Sequence, residues 1–400
     1  MQKILIIGTG SLRNYGCEAI VQGTYAILKH TLADAKVYVA SDDKQYDASV
    51  LPHDIRLVSY KQRFTLYRLW KGLLRRFFHY GTGSPVRMDV HVGKRFDVVL
   101  SCGGDNYCEA PDGSLYNILL DLMAIGENAV KAHRKFVLWG ASVGPFKKDN
   151  ELSVIDNLQQ SNLICVREKL SYDYLRPLGL GSKLNLTADP AFLMEPDSSV
   201  KIEKNDGVQY IGLNISRLSI GHAIKKAKEQ EEFINKLFNQ LDAILNRHPD
   251  WHFVCLPHVV IDNDANQNDY VFMQKYFSAT KHKSRVSILP PDLGARKTKG
   301  CVCQMDLLVA ARMHCCVAGI TTSTPTLFVT YSNKGRGMAE YAYGHHNYDM
   351  PVEGLVTDEF EKLVANMLAK KEQIRLGLEN QQARFRNDAL KAGELLRTIV

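Results

Sequence analysis

The chain has 400 residues, of which 45% are hydrophobic and 23% charged, and its formal net charge is +7. That length favours two domains with real cores, and neither a nucleic-acid module nor a repeat nor an apolar run of roughly 18 residues is evident. The positive charge is modest in total but unevenly spread, so its placement says more than its sum.

Ile4-Leu-Ile-Ile7 opens the chain as a strand, with no basic, apolar or cleavage-site segment ahead of it. A cytoplasmic location is therefore expected. The nine cysteines are odd in number and scattered through apolar or Gly-rich segments, which argues for reduced thiols. Cys301, Cys303, Cys315 and Cys316 lack the spacing of a structural zinc knuckle, so no metal site is expected.

After the first strand come Gly8-Thr-Gly10 and a predicted helix from Cys17 to Lys29. The dinucleotide fingerprint fails where Arg13 stands in place of its third glycine, which disfavours NAD. Asn14 and Glu18 flank the helix start, where a helix cap and a ligand contact both fit. Val37–Ala40 and Ile55–Val58 continue as strands. Between Lys61 and Tyr80 there are six Lys/Arg and no acidic residue, with Leu66, Trp70 and Phe77 on one helical face and Arg68, Lys71 and Arg75 on another. That pattern fits a segment lying on an anionic membrane surface, at the inner face of the membrane, and also a helix packed on its own domain with a basic rim.

Phe96–Leu100 reads as a buried strand running into Gly103-Gly104-Asp105-Asn106-Tyr107, a polar loop suited to sugar hydroxyls. Lys135–Trp139 repeats the arrangement ahead of Ser142-Val-Gly144-Pro145, and Leu163–Val166 delivers Arg167 to another strand end. Arg167 has two readings, substrate contact or a lock formed with a carboxylate. The polar stretch Glu195 to Gly207 is the linker candidate. It divides residues 1–195 from 208–370, with a helical segment at 371–400 that would return across the first domain.

In the second half, Tyr210–Ile215 is a strand with Arg217 just past its end, where ligands collect in such sheets. A long helix spans Lys225 to Arg247, and the strand Trp251–Leu256 precedes His258, which could face the cleft but reads more readily as an ordinary surface loop histidine. The run from Asp262 to Asp269 lacks the glycine and distal glutamate of a calcium loop and reads as a solvated loop with a helix cap. Val286–Leu289 is another strand. Residues 305 to 337 read as a helix through Leu307-Leu308-Val309 to Arg312-Met313-His314, a Thr/Ser turn containing Thr322 and Ser323, a buried strand Thr326–Thr330, and a basic loop with Lys334. An Arg, an adjacent His, hydroxyls and a mobile Lys suit a small ligand that carries carboxylate and phosphate and has a proton to move. The plainer reading makes Arg312 a helix cap and His314 a core histidine.

The Arg312-x-His314 segment resembles the C-terminal signature of the polysaccharide pyruvyl transferase family, and similar matches run from residue 4 to about 345. Among them are Asn14-Tyr-Gly-Cys-Glu-Ala-Ile20, the Gly103-Gly104 loop, Ser142-x-Gly144-Pro145 and Arg167. The resemblance implies an α/β fold of two Rossmann-like domains facing a cleft, like that of the GT-B glycosyltransferases. It also implies phosphoenolpyruvate as co-substrate, with no other cofactor. Arg217, Arg312, Met313, His314, Thr322, Ser323 and Lys334 would bind the donor, with Arg312 and His314 catalytic. Asn14, Glu18, Asp105, Asn106 and Arg167 would meet a saccharide acceptor, polyprenyl-diphosphate-linked in one version. Cys17 departs from the family, which carries an aspartate there.

The expected reaction moves a 1-carboxyethylidene group from phosphoenolpyruvate to two hydroxyls of a sugar in a bacterial-type surface polysaccharide or its lipid-linked precursor. Its rivals are a GT-B glycosyltransferase using a nucleotide sugar and an inactive envelope-assembly protein. Fold alone does not choose among them.

Overall fold

A computed structural model describes residues 1–59, 88–110, 113–262, 264 and 266–400. The expected membrane contacts Leu66, Arg68, Trp70, Lys71, Arg75 and Phe77 lie outside the described residues. Among the described residues, no helix is long and apolar enough to cross a membrane.

The chain divides into two compact units. One consists of residues 1–10, 27–189 and 390–400, the other of residues 11–26 and 190–389. Residues 11–26 thus group with the second unit, not with the rest of the expected 1–195 domain.

The first unit holds β1 (Lys3–Ile7), β2 (Lys36–Ala40), β3 (Arg56–Val58), β4 (Val98–Ser101), β5 (Lys135–Ala141), β6 (Leu163–Val166) and β7 (Leu184–Leu186). They form one parallel sheet in the order β3-β2-β1-β4-β5-β6-β7. Its helices are α1 (Tyr15–Thr31), which starts in the second unit, α2 (Lys44–Val50), α3 (Asn117–Lys131), α4 (Lys148–Gln159) and α5 (Lys169–Leu175). Every residue of β4 and β6 is buried, as a parallel sheet covered on both faces requires, and the inward side chains meet those of α3 and α4 in one core.

The second unit holds β8 (Gln209–Asn214), β9 (Trp251–Cys255), β10 (Val286–Ile288), β11 (Leu307–Ala310), β12 (Thr326–Thr330) and β13 (Asp349–Pro351). Their parallel order is β10-β9-β8-β11-β12-β13, so the strand sequence reverses direction between β8 and β11. Ligands of open α/β sheets collect at the carboxyl ends of strands beside such a reversal. The connecting helices are α6 (Arg217–Ala223), α7 (Ala227–Arg247), α8 (Asp269–Ala279), α9 (Gly294–Val302), α10 (Met313–Thr321) and α11 (Asn333–Tyr343). They are followed by α12 (Asp358–Ala369), α13 (Lys371–Glu379) and α14 (Gln382–Arg397), the last of which ends in the first unit.

Leu307–Ala310 is a strand, where a helix was expected, and it lies between β8 and β12. Four consecutive buried apolar residues read equally well as either element, and the following Ala311 favoured the wrong one. The expected basic loop at Lys334 is likewise the first turn of α11.

Candidate functional site

The site is built on the carboxyl edge of β8 and β11. Asn214 ends β8 with its side chain fully buried; its Nδ2 donates to the Leu256 carbonyl at 2.8 Å and its Oδ1 accepts from the Arg312 N–H at 3.0 Å. One amide thus ties together the ends of β8, β9 and β11. Arg312 then turns its guanidinium onto Asp269, in the first turn of α8: Nη2 donates to Oδ1 at 2.8 Å and Nε to both carboxylate oxygens at 3.2 and 3.3 Å. Nη2 also donates to the Gln267 carbonyl at 2.8 Å. None of these bonds uses Nη1.

Asp269 is 1% exposed and Arg312 12%. Stranding either charge at that burial would cost several kcal/mol, and the pair persists because the carboxylate is satisfied throughout. Its Oδ2 accepts from the backbone N–H groups of His258 and Val259 at 3.2 and 3.1 Å. Arg312 stands at the N-cap position of α10, but its side chain caps nothing, so the plainer reading of this residue fails.

His314 follows in the first turn of α10, half-buried. Its ring lies against the start of α1: a Cβ added at Gly16 would come within 2.4 Å of His314 Nδ1. The segment carrying Gly16 is anchored in this unit. Asn14 bridges Val259 in antiparallel fashion, Tyr15 N–H donates to the His258 carbonyl at 2.9 Å, and Tyr15 OH donates to the Pro291 carbonyl at 2.8 Å. His258 is fully enclosed, not on the surface as expected, because the Asn14–Tyr15 segment covers the end of β9. Burial, and then the neighbouring His314 and Arg312, push its pKa down to about 3.

The other expected donor residues divide. Arg217 opens α6 at the same carboxyl edge, where its Nη2 pairs with Glu231 at 2.6 Å and its Nε donates to Asn266 at 3.2 Å. Both arginines therefore reach the loop ahead of α8, and both already hold carboxylates. Met313 is the first residue of α10, and Lys334 lies in the first turn of α11, past the end of β12 on the same edge. Thr322 and Ser323 do not join them. They follow the C-terminal end of α10, about 13 Å along the helix from Arg312, at the opposite edge of the sheet. Thr322 Oγ1 donates to the Ala318 carbonyl at 2.8 Å, and Ser323 Oγ accepts from Gln382 at 3.2 Å. Misreading β11 as helix is what placed this turn beside the arginine.

The expected acceptor residues are split between the units. Asn14 and Glu18 belong to the second, Asp105, Asn106 and Arg167 to the first. Asn14 Oδ1 accepts from Gly16 N–H at 3.0 Å as a helix cap. Glu18 is 1% exposed, its Oε2 accepting from Ala295 N–H at 2.8 Å in the first turn of α9, so it closes a helix terminus.

In the first unit, Asn106 Nδ2 donates to the carbonyls of Gly8 and Cys102 at 2.6 and 3.2 Å, clamping the loops after β1 and β4. Gly8 makes that crossing possible: its φ is +86°, and a Cβ there would lie 2.2 Å from the Cys102 carbonyl. Tyr107, expected to meet hydroxyls, is buried and bonded to Ser101 Oγ at 2.9 Å. Arg167 is 1% exposed, with Nη1 to Asp189 at 2.7 Å, Nε to Ser142 at 2.9 Å and Nη2 to Asp105 at 3.3 Å. Burial opposes its charge, but Asp189 and Asp105 outweigh burial and raise its pKa. Of its two readings, the structure has the carboxylate lock, and Asp105, 66% exposed, is the polar group that Arg167 presents to solvent.

Sequence reasoning missed Asp269 and Asn214. His258 was visible by its position just past a strand, the same signal that singled out Arg217, although the surface reading was preferred for it.

Two parallel Rossmann-like units with an arginine and a histidine at the strand reversal define an α/β architecture of the GT-B class. Solved structures agree. S. aureus MnaA in its UDP co-structure is similar at TM-score 0.57 and 13% identity, covering 94% of this chain and 91% of that one. Neisseria meningitidis UDP-GlcNAc 2-epimerase bound to UDP-GlcNAc reaches 0.54 at 12% identity, covering 98% and 100%. The trehalose-6-phosphate synthase OtsA reaches 0.58 at 11%, covering 100% and 98%. These likenesses concern the fold alone. No curated protein matches the chain. Residues 14–333 match the polysaccharide pyruvyl transferase family, and the chain belongs to it.

Proposed function

We propose that the protein transfers a 1-carboxyethylidene group from phosphoenolpyruvate to two hydroxyls of one sugar, in a bacterial-type surface polysaccharide or its lipid-linked precursor. Family membership supports the transferase class. The observation that carries the choice of donor is Arg312, held by Asp269 on two nitrogens with Nη1 in no hydrogen bond among the described residues, two positions from His314. A fixed guanidinium suits a carboxylate or phosphate, and an imidazole beside it suits a proton transfer.

In this reading His314 gives a proton to the methylene carbon, which becomes the methyl group, and the first sugar hydroxyl adds to the adjacent carbon, its proton returning to the imidazole. The second hydroxyl then forms the other C–O bond as the bond to phosphate breaks, and its proton leaves with phosphate. Lys334, and Arg217 once phosphate replaces Glu231 as its partner, balance the donor's charge. Asp105, held by Arg167, is the acceptor contact that this reading keeps.

The test is phosphate release from phosphoenolpyruvate with galactoside and mannoside acceptors, beside thermal shifts with phosphoenolpyruvate, UDP-sugars and GDP-sugars. Stabilisation by phosphoenolpyruvate is expected, together with release that His314→Gln abolishes and Arg312→Lys lowers at least about 100-fold in kcat/KM. Stabilisation by a nucleotide sugar alone would replace the proposal with glycosyl transfer. Donor binding without turnover on any acceptor would point to an inactive assembly protein.

A further inference from the structure

Neither Nδ1 nor Nε2 of His258 has a hydrogen-bond partner among the described residues, although the residue is 2% exposed. Its main chain, by contrast, is held at both ends, the N–H by Asp269 Oδ2 and the carbonyl by Tyr15 N–H. The ring also meets the Tyr15 ring edge-on, with centroids 5.8 Å apart. A buried imidazole fixed this firmly with its polar atoms unused is costly to keep, and such a group calls for a bond formed in another state of the site.

The charged and titratable groups around it are Tyr15 from α1, Asp269 from α8, and Arg312 and His314 from the β11–α10 junction. Asp269 is taken up by Arg312, so the cationic neighbours prevail and His258 stays uncharged. Two imidazoles therefore share one sheet edge, and burial keeps that of His258 uncharged.

We infer that His258 is a positioning residue for His314: its uncharged ring accepts a hydrogen bond, directly or through one water, when His314 is protonated, and so keeps the transferable proton on His314. The chemical purpose of that bond rests on the pyruvyl-transfer reading, but the bond itself is testable without it.

The experiment is an NMR pH titration of the histidine Cε1–H signals in 13C-histidine-labelled protein, with no substrate present. Loss of a signal in His314→Gln and in His258→Gln assigns each ring. In His258→Phe the His314 imidazolium loses its acceptor, and its midpoint falls by about one pH unit. In His258→Gln, whose amide oxygen can accept, the midpoint stays within about 0.3 unit of wild type. His258→Leu serves as the apolar variant if the Phe variant does not fold. Equal His314 midpoints in wild type and the apolar variant would overturn the inference, as would equal falls in the apolar and Gln variants. If wild-type protein releases no phosphate from phosphoenolpyruvate, the function reading fails while this titration still decides the pairing. If it does release phosphate, the pH limb assigned to His314 moves with the NMR midpoint.

Discussion

Arg167 in the first unit and Arg312 in the second are built to the same local plan. Each follows a buried parallel strand, β6 or β11, and each meets an aspartate buried to 1% or less, Asp189 or Asp269. A glycine presses on each cluster. A Cβ at Gly104 would lie 2.6 Å from Arg167 Nη1, and one at Gly16 2.4 Å from His314 Nδ1. The difference lies in what is left over. Arg167 has all three nitrogens engaged by Asp189, Ser142 and Asp105, whereas the bonds of Arg312 among the described residues use Nε and Nη2 and not Nη1. Burial of an arginine therefore says little about its role, and the proposal rests on the guanidinium edge that the carboxylate leaves over.

Removing the aspartates breaks the comparison most forcefully. Asp269→Ala and Asp189→Ala each strand a buried guanidinium and are expected to cost about 3–5 kcal/mol in urea unfolding. Only Asp269→Ala should also abolish binding of phosphoenolpyruvate by calorimetry, since it frees Arg312 to move and unties the His258–Val259 backbone. Equal loss of donor binding in both variants would make the two clusters functionally alike.

The glycines offer a finer cut. Gly16→Ala and Gly104→Ala both overpack and should cost roughly 1–3 kcal/mol. Displacing His314 by even about 1 Å, however, is expected to lower the rate of phosphate release about 100-fold in Gly16→Ala. Gly104→Ala should leave the affinity for phosphoenolpyruvate within about twofold. A Gly16→Ala protein with full turnover would remove His314 from the chemistry.

Much of this was legible in the chain itself. Continuous apolar runs such as Val98–Ser101 and Leu163–Val166 announce parallel strands because both faces are covered, and the Arg312-x-His314 segment carries the family resemblance that singled these two residues out. What stayed hidden depended on topology. Asp269 lies 43 positions from Arg312 and looked like one acid among several in a polar loop; its burial follows only once β8, β9 and β11 are in register. Glu18 looked like a first-turn acid of its own helix, yet its carboxylate reaches Ala295, 277 positions away. Local pattern names the residues that can do chemistry, and strand order decides which of them meet.

Acid should also separate the clusters. His258 has an ordinary pKa near 6.5 when unfolded and about 3 when folded. Below pH 6.5 the unfolded chain takes up a proton that the folded chain refuses, so this stability is full above pH 6.5 and is lost progressively as pH falls toward 3. The slope is about 1.4 kcal/mol per pH unit once pH is well below 6.5. His258→Gln cannot titrate, so between pH 6.5 and 5 the stability gap between wild type and variant should narrow by roughly 1–2 kcal/mol in urea unfolding. A gap that holds constant would mean that His258 ionises in the fold, and its role as an uncharged hydrogen-bond acceptor would fail with it.

The smallest expected effect tests the edges of the second sheet against each other. Thr322 and Ser323 carry the hydroxyls that seemed suited to phosphate, but they sit where α10 ends, and a parallel sheet puts that turn opposite the Arg312 edge. Their bonds are local. Thr322 Oγ1 serves the last carbonyls of α10, and Ser323, at a φ of +56°, meets Gln382. Thr322→Ala should therefore lose about 1 kcal/mol or less and keep phosphate release within about twofold of wild type. Ser323→Gly trades the Gln382 bond for relief of the left-handed backbone, so its stability should change by less than about 1 kcal/mol in either direction. A tenfold fall in kcat/KM with unchanged melting in either variant would put the turn back within reach of the donor. Since no parallel strand can present both of its ends to one small ligand, that result would break the assignment of the site to the β8–β11 reversal.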